Sequence, residues 1–504
     1  MVARILSCTI SGLRAVPVYV ELDLAGGLPA LTVVGMGDTA VRESRERVLA
    51  ALRNSGYELP PSRVTVNLAP ADLKKTGSRF DLPIALGILA AMRAFSPVAL
   101  DGYLVMGELS LTGEVTGREP SFPAALLARR AGLDGMILPR EMAAEASLVD
   151  GFEVLPVGRL SEAAEFLRGN SSLEEVTPLT VREPDGPPDL AEVKEQEVPK
   201  RALEIAAGGG HNLLLVGPPG SGKTMLARRM PGILPPLTPD QSLEVTAIHS
   251  VAGLLSSAEG LITRPPFRSP HHTVSHIGLA GGGTRPRPGE VTLAHHGILF
   301  LDEMSEFRRS SLETLRQPME DGRIVVTRAS GSTTYPARFM LIGATNPCPC
   351  GFRGHPVRPC TCLPTAAARY RRRISGPLMD RIDLVVDVQP PDLAGISGGP
   401  GAESSQTVAE RVETARGIQA ERNLKGFPAL NSLLTPAHLD DICPLTRGGR
   451  DLLREAAERL GLTARGYHRC LRVARTLADL EGKELPGLDH LSEAIQYRQA
   501  LDGR

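Results

Sequence analysis

The residues between 217 and 224 have the types and the spacing that phosphate chemistry requires. A glycine-rich loop with the spacing G-x-x-x-x-G-K-T follows the apolar run 212–216, and it consists of Gly217, Pro218, Pro219, Gly220, Ser221, Gly222, Lys223 and Thr224. Glycines let backbone N–H groups wrap a phosphate chain at the start of a helix, which we expect from Met225 to Met230. We expect Lys223 to hold the β- and γ-phosphates of a nucleoside triphosphate and Thr224 to ligate Mg²⁺. The alternative is a tight turn without a ligand, and the Lys-Thr ending argues against it.

A second apolar run, 297–301, ends in the two carboxylates Asp302 and Glu303. A buried parallel strand with this sequence would deliver both acids to the carboxyl edge of a sheet. We expect Asp302 to act through the Mg²⁺ and Glu303 to polarise the attacking water. Phosphoryl transfer depends mostly on positioning and charge neutralisation, so these parts suffice for ATP hydrolysis. Taken alone, such a strand more often meets a solvated turn, but its place after a phosphate loop favours catalysis.

Three further polar residues could complete the site. Asn346 ends the apolar run 341–345 and could lie beside the γ-phosphate and orient water. Arg381 precedes a predicted strand, and an arginine there can neutralise transition-state charge in a neighbouring subunit, which would make activity depend on a ring. Arg465 opens a predicted helix and could reach phosphate similarly. The alternative for Arg381 is a surface salt bridge, which is the commoner role of a single arginine.

Length and composition indicate a large globular protein. The 504 residues exceed one ordinary core and predict about three domains. The formal net charge of −1 provides no general attraction to nucleic acid, so such contact would depend on local arginines. No stretch approaches the roughly 18 apolar residues of a membrane span, so we expect a cytoplasmic protein without a membrane segment.

The order of these patterns predicts three domains and a linker. Residues 1–170 alternate short apolar strands with helical patterns and should form an α/β domain. The polar, proline-bearing stretch 171–188 is a predicted linker, and residues 189–393 should form the ATPase core. Residues 394–504 should form a helical lid over the nucleotide, with helices at 407–423, 447–461, 464–481 and 490–501.

Several segments together closely resemble the ComM/YifB family of magnesium-chelatase-like AAA+ ATPases. Besides the motifs above, they are Phe-Arg-Ser-Pro-His-His at 267–272, Pro-Gly-Glu at 288–290 and Asn-Leu-Ala-Pro-Ala-Asp-Leu at 67–73. The resemblance covers almost the whole chain. It implies an AAA+ P-loop core with a parallel sheet, ATP and Mg²⁺ as cofactors, and a homo-oligomeric ring, expected to be a hexamer.

The resemblance also assigns roles to individual residues. It makes Lys223 and Thr224 the Walker A residues and Asp302 with Glu303 the Walker B pair. It also implies that Asn346 is the first sensor, Arg381 the arginine finger and Arg465 the second sensor. One departure is the glutamate at position 195, where relatives usually carry glycine, and it leaves the adenine-side contacts open.

The N-terminal domain resembles the ribosomal-protein-S5-like fold that Lon-type proteases share, notably in residues 107–115. A Ser-Lys protease needs a serine activated by a desolvated lysine. The stretch where Lon-type proteases carry the serine is 78–83 here, and the region expected to hold the lysine, 121–125, has none. The resemblance therefore implies a non-proteolytic module for DNA or for assembly.

Four of the seven cysteines form two Cys-x-Cys pairs, which are Cys348, Cys350, Cys360 and Cys362. Four thiolates close in sequence can complete a tetrahedral zinc site, so we predict that they bind Zn²⁺. The alternative is a set of reduced thiols without a metal. For the histidine pairs 271–272 and 295–296, we expect polar packing or hydrogen bonding near the ATP site rather than metal binding.

Residues 322–339 have the pattern of a β-hairpin with its turn at 329–331. In a ring this hairpin could project into the central channel, where Arg328 would contact DNA phosphates. A second flexible, basic loop, 281–287, would add Arg285 and Arg287. Arginines on loops are more often simply solvated.

The leading hypothesis is a ring-forming, ATP-driven motor that acts on single-stranded or branched DNA. The ComM branch of the family implies a branch-migration helicase in homologous recombination during natural transformation. The alternative is a chelatase-type or chaperone-like remodeller of a protein partner, because one motor fold serves many substrates. A third hypothesis, an ATP-binding scaffold without activity, is disfavoured by the complete catalytic set.

Overall fold

The computed structural model describes residues 2–499 except 29, 36–38, 60, 74, 76, 174–175, 177–185, 256–259, 284–286, 329–330 and 391–401. The chain divides into unit 1, residues 1–184 with 246–262, and unit 2, residues 185–245 with 263–504. None of the helices in the described ranges combines the length and the apolar character needed to span a bilayer. The predicted domain boundaries stay predictions.

Unit 1 is a mixed sheet with helices. Its strands, within the described residues, are β1 Val2–Ser11, β2 Arg14–Gly26, β3 Ala30–Val34, β4 Ser62–Ala69, β5 Tyr103–Val105, β6 Glu108–Leu109, β7 Val115–Thr116, β8 Gly135–Pro139 and β9 Glu153–Val157. The seven-stranded sheet has the order β3-β4-β2-β1-β5-β8-β9, and β6 pairs with β7. Its helices are α1 Thr39–Asn54, α2 Asp81–Ala91, α3 Phe122–Arg130, α4 Arg140–Ala146 and α5 Leu160–Leu167.

The centre of unit 1 is α2, in which every residue is buried. Apart from Asp81, its own residues are apolar on every side, as is typical of a helix enclosed by other elements. It packs against β1 and β2, which run antiparallel, whereas β5, β8 and β9 continue the sheet in parallel. The α/β pattern predicted for the first part of the chain is confirmed at this level.

Unit 2 contains a parallel sheet of short buried strands. The strands of this unit are β10 Leu213–Val216, β11 Phe267–Arg268, β12 Gly281–Gly282, β13 Arg287–Pro288, β14 Ile298–Leu301, β15 Arg323–Arg328, β16 Gly331–Pro336, β17 Met340–Thr345 and β18 Leu384–Asp387. Five of them form the sheet β11-β14-β17-β10-β18, and every pairing in it is parallel. All residues of β14 and β17 are buried, as expected for strands covered on both faces.

The described helices of unit 2 fall into those that precede the last strand, β18, and those after residue 404. The first group is α6 Glu197–Gly209, α7 Lys223–Ala227, α8 Pro239–Ala252, α9 His276–Ala280, α10 Glu290–Leu293, α11 Arg309–Glu313, α12 Arg316–Asp321, α13 Pro364–Arg371 and α14 Gly376–Met379. Of these, α8 continues into the segment that belongs to unit 1. The second group is α15 Ser405–Leu424, α16 Pro436–Ile442, α17 Arg447–Leu460, α18 Ala464–Leu480 and α19 Leu488–Gln499.

The predicted C-terminal helices are confirmed with small shifts at their ends. The helix predicted from 407 begins at Ser405, because Ser404 is the N-cap and its hydroxyl accepts from Thr407 N at 3.2 Å. Residue 501, the predicted end of the last helix, lies outside the described residues. The prediction omitted α16, whose N-cap Thr435 forms a capping box with His438.

Candidate active site

The strand order brings three predicted segments to one edge of the parallel sheet. The phosphate loop follows β10, the acidic pair follows β14, and Asn346 follows β17. In the sheet, β17 lies between β14 and β10. Because the strands are parallel, the residues after each strand emerge at the same edge. Residues more than a hundred positions apart therefore become neighbours.

The phosphate loop has the backbone conformation that its glycines permit. Gly220 and Gly222 have φ values of 79° and 91°, in the left-handed region that favours glycine. Gly217 N donates to Thr345 O at 3.1 Å, which ties the loop to the end of β17. The helix after the loop, predicted at 225–230, begins earlier, at Lys223, and ends at Ala227. After Ala227 the backbone stays in the helical region, and a 3-10 turn follows at Met230–Gly232.

Lys223 is buried inside the loop and contacts neutral oxygens. Its Nζ donates to the carbonyl oxygens of Gly217 and Pro218, both at 2.8 Å, and lies 3.5 Å from Asn346 Oδ1. Burial lowers the pKa of Lys223, while the carboxylates of Asp302 and Glu303 act in the opposite direction. The ammonium group thus sits among acceptors that bind it more weakly than a phosphate would.

Thr224 and Asp302 form the oxygen pair expected for a magnesium site. Thr224 Oγ1 donates to Asp302 Oδ2 at 2.7 Å, and Asp302 Oδ1 accepts from Glu303 N at 2.9 Å. Mg²⁺ prefers oxygen ligands and commonly takes one or two from the protein, with the remainder from phosphate and water. A hydroxyl and a carboxylate beside the phosphate loop fit this ion.

Glu303 adopts a backbone conformation that is rare for a residue with a side chain. Its φ is 50°, and the side chain is more than half exposed. Such strain occurs frequently at functional sites. His272 Nδ1 lies 3.6 Å from Glu303 Oε2. This polar contact agrees with the polar packing near the ATP site predicted for the pair 271–272, although its partner Glu303 was not predicted.

Arg381 and Arg465 converge on a residue that the sequence analysis did not identify, Glu320. Arg381 Nη2 lies 2.5 Å from Glu320 Oε1, and Arg465 Nη2 lies 3.9 Å from the same oxygen. The salt bridge considered as the alternative role of Arg381 is therefore present in this chain. An arginine finger forms ion pairs within its own subunit as readily as any exposed arginine, so the contact leaves the predicted role open.

The four clustered cysteines face one another. The Sγ atoms of Cys348 and Cys350 are 3.4 Å apart, and each lies 3.6 Å from Sγ of Cys360. Cys362 completes the group, whose four sulfur atoms all lie within 4.8 Å of one another. Tetrahedral zinc with Zn–S bonds of about 2.3 Å requires sulfur atoms about 3.8 Å apart, so the donor set fits Zn²⁺.

This cysteine cluster packs directly against the phosphate loop. Gly351, which lies between the two Cys-x-Cys pairs, has a φ of 83°. A Cβ atom at Gly351 would lie 2.6 Å from Cδ of Pro219, closer than any side chain tolerates. The cluster therefore supports the loop from the side.

A second group of potential ligands, His295, His296 and Glu244, does not suit a metal. Both Nε2 atoms lie close to Glu244 Oε2, at 3.2 and 3.1 Å. Arg338 N donates to His295 Nδ1 at 3.0 Å, so the neutral ring carries its proton on Nε2 and donates it to Glu244. Burial and the neighbouring His296 lower the pKa of His295 to about 4, which keeps the ring neutral. The hydrogen bonding predicted for this histidine pair is confirmed.

Two of the three predicted DNA-contact residues, Arg328 and Arg287, lie in antiparallel pairs of strands. The hairpin predicted at 322–339 is confirmed as β15 and β16, paired from Arg323 to Arg328. Most of its turn and the side chain of Arg328 lie outside the described residues. Arg287 is exposed at the start of β13, which pairs with β12, and Arg285 lies outside the described residues.

Profiles of the magnesium chelatase family match three parts of the chain. The profile described as "Magnesium chelatase, subunit ChlI" matches residues 189–395. Those described as "Subunit ChlI of Mg-chelatase" and "Magnesium chelatase, subunit ChlI C-terminal" match residues 20–142 and 402–498. Together the three matches extend over most of the chain.

Relatives of nearly the same length identify the family within this group. YifB of Salmonella typhimurium, described as uncharacterized, is 43% identical over 494 residues, which are 97% of this chain and 96% of the relative. The competence protein ComM of Haemophilus influenzae is 40% identical over 494 residues, 97% of this chain and 95% of its own length. The chain belongs to the ComM/YifB family of magnesium-chelatase-like AAA+ proteins. The magnesium-chelatase 67 kDa subunit of Chlorobaculum parvum shares 29% identity over 148 residues, 29% of this chain and 20% of that subunit.

This ComM/YifB-family chain also has a charge pattern that the sequence analysis missed. Residues 322–379 contain no Asp, Glu or Lys, and they include nine arginines: Arg323, Arg328, Arg338, Arg353, Arg358, Arg369, Arg371, Arg372 and Arg373. Among the eight whose side chains are described, Arg373 forms an ion pair, with Glu306 at 2.8 Å. A scan of local charge along the sequence would have found the segment, because the net charge of −1 conceals it.

Among the described residues of unit 1, the stretches 78–83 and 121–125, where a Lon-type protease would carry its serine and lysine, contain no serine and lysine in contact. Ser78 Oγ donates to the carboxylate of Glu108. The buried Lys75 donates instead to the carbonyl of Pro70. At 121–125, the start of α3 contributes buried side chains to the core.

Proposed function

We propose that this chain is an ATP-hydrolysing AAA+ motor that assembles into a homohexameric ring and moves DNA. The observation that carries the proposal is the meeting of five residues at one edge of the parallel sheet: Lys223, Thr224, Asp302, Glu303 and Asn346. Membership of the magnesium-chelatase-like AAA+ family supports ATPase activity independently. In the recombination of incoming DNA, the motor would act as a branch-migration helicase.

Each residue of this edge has a task that its contacts suit. Lys223 exchanges its carbonyl partners for β- and γ-phosphate oxygens, which are stronger acceptors. Glu303, exposed and beside His272, polarises and orients the attacking water. Asn346 Oδ1 orients the same water from the end of β17. Arg381 of one subunit neutralises the charge that develops in the site of its neighbour.

Thr224 and Asp302 would hold the Mg²⁺ that accompanies ATP. When bound, the ion neutralises charge on the β- and γ-phosphate oxygens. The chain's own contribution is the hydroxyl–carboxylate pair, preorganised by the hydrogen bond between Thr224 Oγ1 and Asp302 Oδ2 and by the N–H of Glu303.

The arginine-rich segment 322–379 supports DNA as the substrate. It contains the β15–β16 hairpin and the cysteine cluster, and nine positive charges without an acid attract a phosphate backbone. Seven of these arginines, Arg323 among them, are exposed, so their charge is available at the surface. We propose Arg328, Arg285 and Arg287 as further phosphate contacts. A relative is named as a competence protein, which agrees with DNA as the partner.

We further propose that the four clustered cysteines bind one Zn²⁺. All seven cysteines of the chain are free thiols, the usual state in the cytoplasm, where we place this activity. A zinc ion would hold the loop 348–362 rigid against Pro219. For unit 1 we propose the ribosomal-protein-S5-like fold in a non-proteolytic form, with a role in DNA contact or assembly.

The second candidate is a remodeller of a protein partner. The name of the matching family, after a magnesium chelatase subunit, favours this candidate, because such a subunit belongs to a larger enzyme. The local charge of segment 322–379 favours DNA over a protein partner.

ATP turnover measured with and without DNA tests the proposal. We expect single-stranded or branched DNA to stimulate hydrolysis, and we expect the stimulation to decline as salt is raised, since phosphate contacts release counterions. A matched variant replaces Arg369, Arg371 and Arg372 with glutamine and should lose stimulation while it keeps its basal rate. Indifference of the wild-type protein to every form of DNA would favour the remodeller.

A further inference from the structure

One carboxylate contacts both arginines for which we propose nucleotide contacts. Oε1 of Glu320 lies 2.5 Å from Arg381 Nη2 and 3.9 Å from Arg465 Nη2. Arg381 also donates from Nη1 to Pro377 O at 2.7 Å. The two guanidinium groups therefore lie on the same side of unit 2 and share one negative partner.

The ion pair between Arg381 and Glu320 is one that a phosphate can replace. The side chain of Arg381 is 10% exposed, whereas that of Glu320 is 52% exposed and can be hydrated when the arginine leaves. Within the described residues, Nε of Arg381 has no hydrogen-bond partner, so this guanidinium is incompletely satisfied. A triphosphate offers more negative charge and more acceptor oxygens than one carboxylate, and can replace it.

Glu320 is also connected to the base of the β15–β16 hairpin. It lies in α12, whose C-cap is Gly322, and Gly322 N donates to Pro318 O at 2.9 Å. Ala337 N, just after β16, donates to Gly322 O at 2.8 Å. These bonds join the last turn of α12 to both strands of the hairpin, so a displacement of the hairpin moves Glu320.

We propose that Glu320 is a latch that holds Arg381 and Arg465 until DNA bound at the hairpin moves α12. Release then frees both arginines for the phosphates of a neighbouring subunit, so that ATP is hydrolysed mainly when DNA is present. Glu320 is a positioning residue, since it acts through the arginines. The inference rests on the proposed function, because it requires ATP at the phosphate loop and DNA at the hairpin.

The test is ATP turnover by the full-length Glu320→Gln variant, with no DNA and with saturating branched DNA. Glutamine keeps the shape of the Glu320 side chain and removes its negative charge. We expect DNA-free turnover to rise about two- to fivefold, the strength of an exposed ion pair, and the DNA-stimulated rate to stay unchanged. Glu320→Asp, which keeps the charge, should have a smaller effect.

The matched control is Glu313→Gln. Glu313 lies in the preceding helix, α11, and its carboxylate pairs with Arg316 at 2.7 Å, so this variant also removes an arginine–carboxylate pair without touching either proposed sensor. It should leave both rates unchanged. In a double variant, Arg381→Ala must abolish the gain of Glu320→Gln, because the effect passes through Arg381.

Three results would overturn the latch. They are unchanged DNA-free turnover in Glu320→Gln, an equal fall of both rates together with a lower melting temperature, or a gain that persists without Arg381. If DNA fails to stimulate the wild-type protein, the proposed function and the release by DNA are both wrong. The DNA-free rate of Glu320→Gln still decides in that case whether Glu320 restrains the arginines.

Discussion

Unit 1 and unit 2 each contain an arginine paired with a carboxylate, and the two pairs differ in burial rather than in distance. Arg47 Nε lies 2.7 Å from Asp81 Oδ2 in unit 1, and Arg381 Nη2 lies 2.5 Å from Glu320 Oε1 in unit 2. Asp81 is completely buried, whereas Glu320 is half exposed. Burial raises the pKa of Asp81 to about 6, with Arg47 acting in the opposite direction.

This difference in burial distinguishes an ion pair with a structural role from an ion pair whose arginine can take another partner. Asp81 also accepts the N–H of Leu109 and lies at the start of the buried helix α2, so its charge has no access to another partner. Moving Arg47 away would leave a charge in an apolar core, which is strongly unfavourable. Glu320 can lose Arg381 to a phosphate and be solvated instead. Four predictions test this distinction, in order of decreasing effect on ATP turnover.

The largest effect is expected for Arg381→Ala. If Arg381 exchanges Glu320 for a neighbour's phosphate, its removal should lower turnover by about a thousandfold or more and leave ATP binding nearly unchanged. Mixing this variant with Lys223→Ala protein should restore some turnover, because intact phosphate loops then face intact arginines. Failure to complement in demonstrated mixed rings would place Arg381 within its own site. Loss of ATP binding would make the pair structural, like Arg47–Asp81.

Glu303→Gln should lower turnover by about a hundredfold or more, because only the group that polarises water is changed. ATP binding, measured with a fluorescent nucleotide, should persist. The matched variant Lys223→Ala should instead lose binding, since it removes the charge that faces the phosphates. Turnover at the wild-type rate in Glu303→Gln would show that the site works without this carboxylate.

Replacing Cys348 and Cys350 with serine should have an intermediate effect. Purified wild-type protein should contain about one zinc per chain, and the double variant none. Turnover should fall by about tenfold, because the loop that supports Pro219 shifts and small displacements near the chemistry have effects of this order. Metal analysis that finds no zinc in wild-type protein prepared under reducing conditions would contradict the site.

Arg47→Ala should affect stability and leave turnover of the folded protein unchanged. Removing the partner of buried Asp81 should lower the free energy of unfolding by about 3 kcal/mol at pH 8. The pKa of Asp81 is raised in the folded state, so its neutral form stabilises the fold at low pH and is lost as pH rises through about 6. Below that pH the neutral carboxyl does not need Arg47, so Arg47→Ala should lower the free energy of unfolding by less. Denaturant titrations at pH 5 and pH 8 measure this, with Arg45→Ala, an exposed residue of the same helix, as control.

Local patterns predicted much of the fold. Four-residue apolar runs such as 213–216 and 298–301 indicated buried strands, and the turn chemistry of residues 217–224 indicated the phosphate loop. Helix ends were less predictable, because they depend on single contacts such as the Ser404 cap. No short-range pattern marks Glu320, which was missed for that reason.

The sequence by itself determined the family, the conformation of the glycine-rich loop and the position of the acidic pair after a buried strand, because short continuous segments carry the residue types that set backbone and charge. Only the tertiary structure decided which distant residues meet. The strand order β14-β17-β10 places Asp302 against Thr224, and the packing of α12 brings Glu320 to Arg381 and Arg465. The tautomer of His295 likewise depends on the N–H of Arg338. Such contacts depend on how elements pack across the core, which local propensity does not specify.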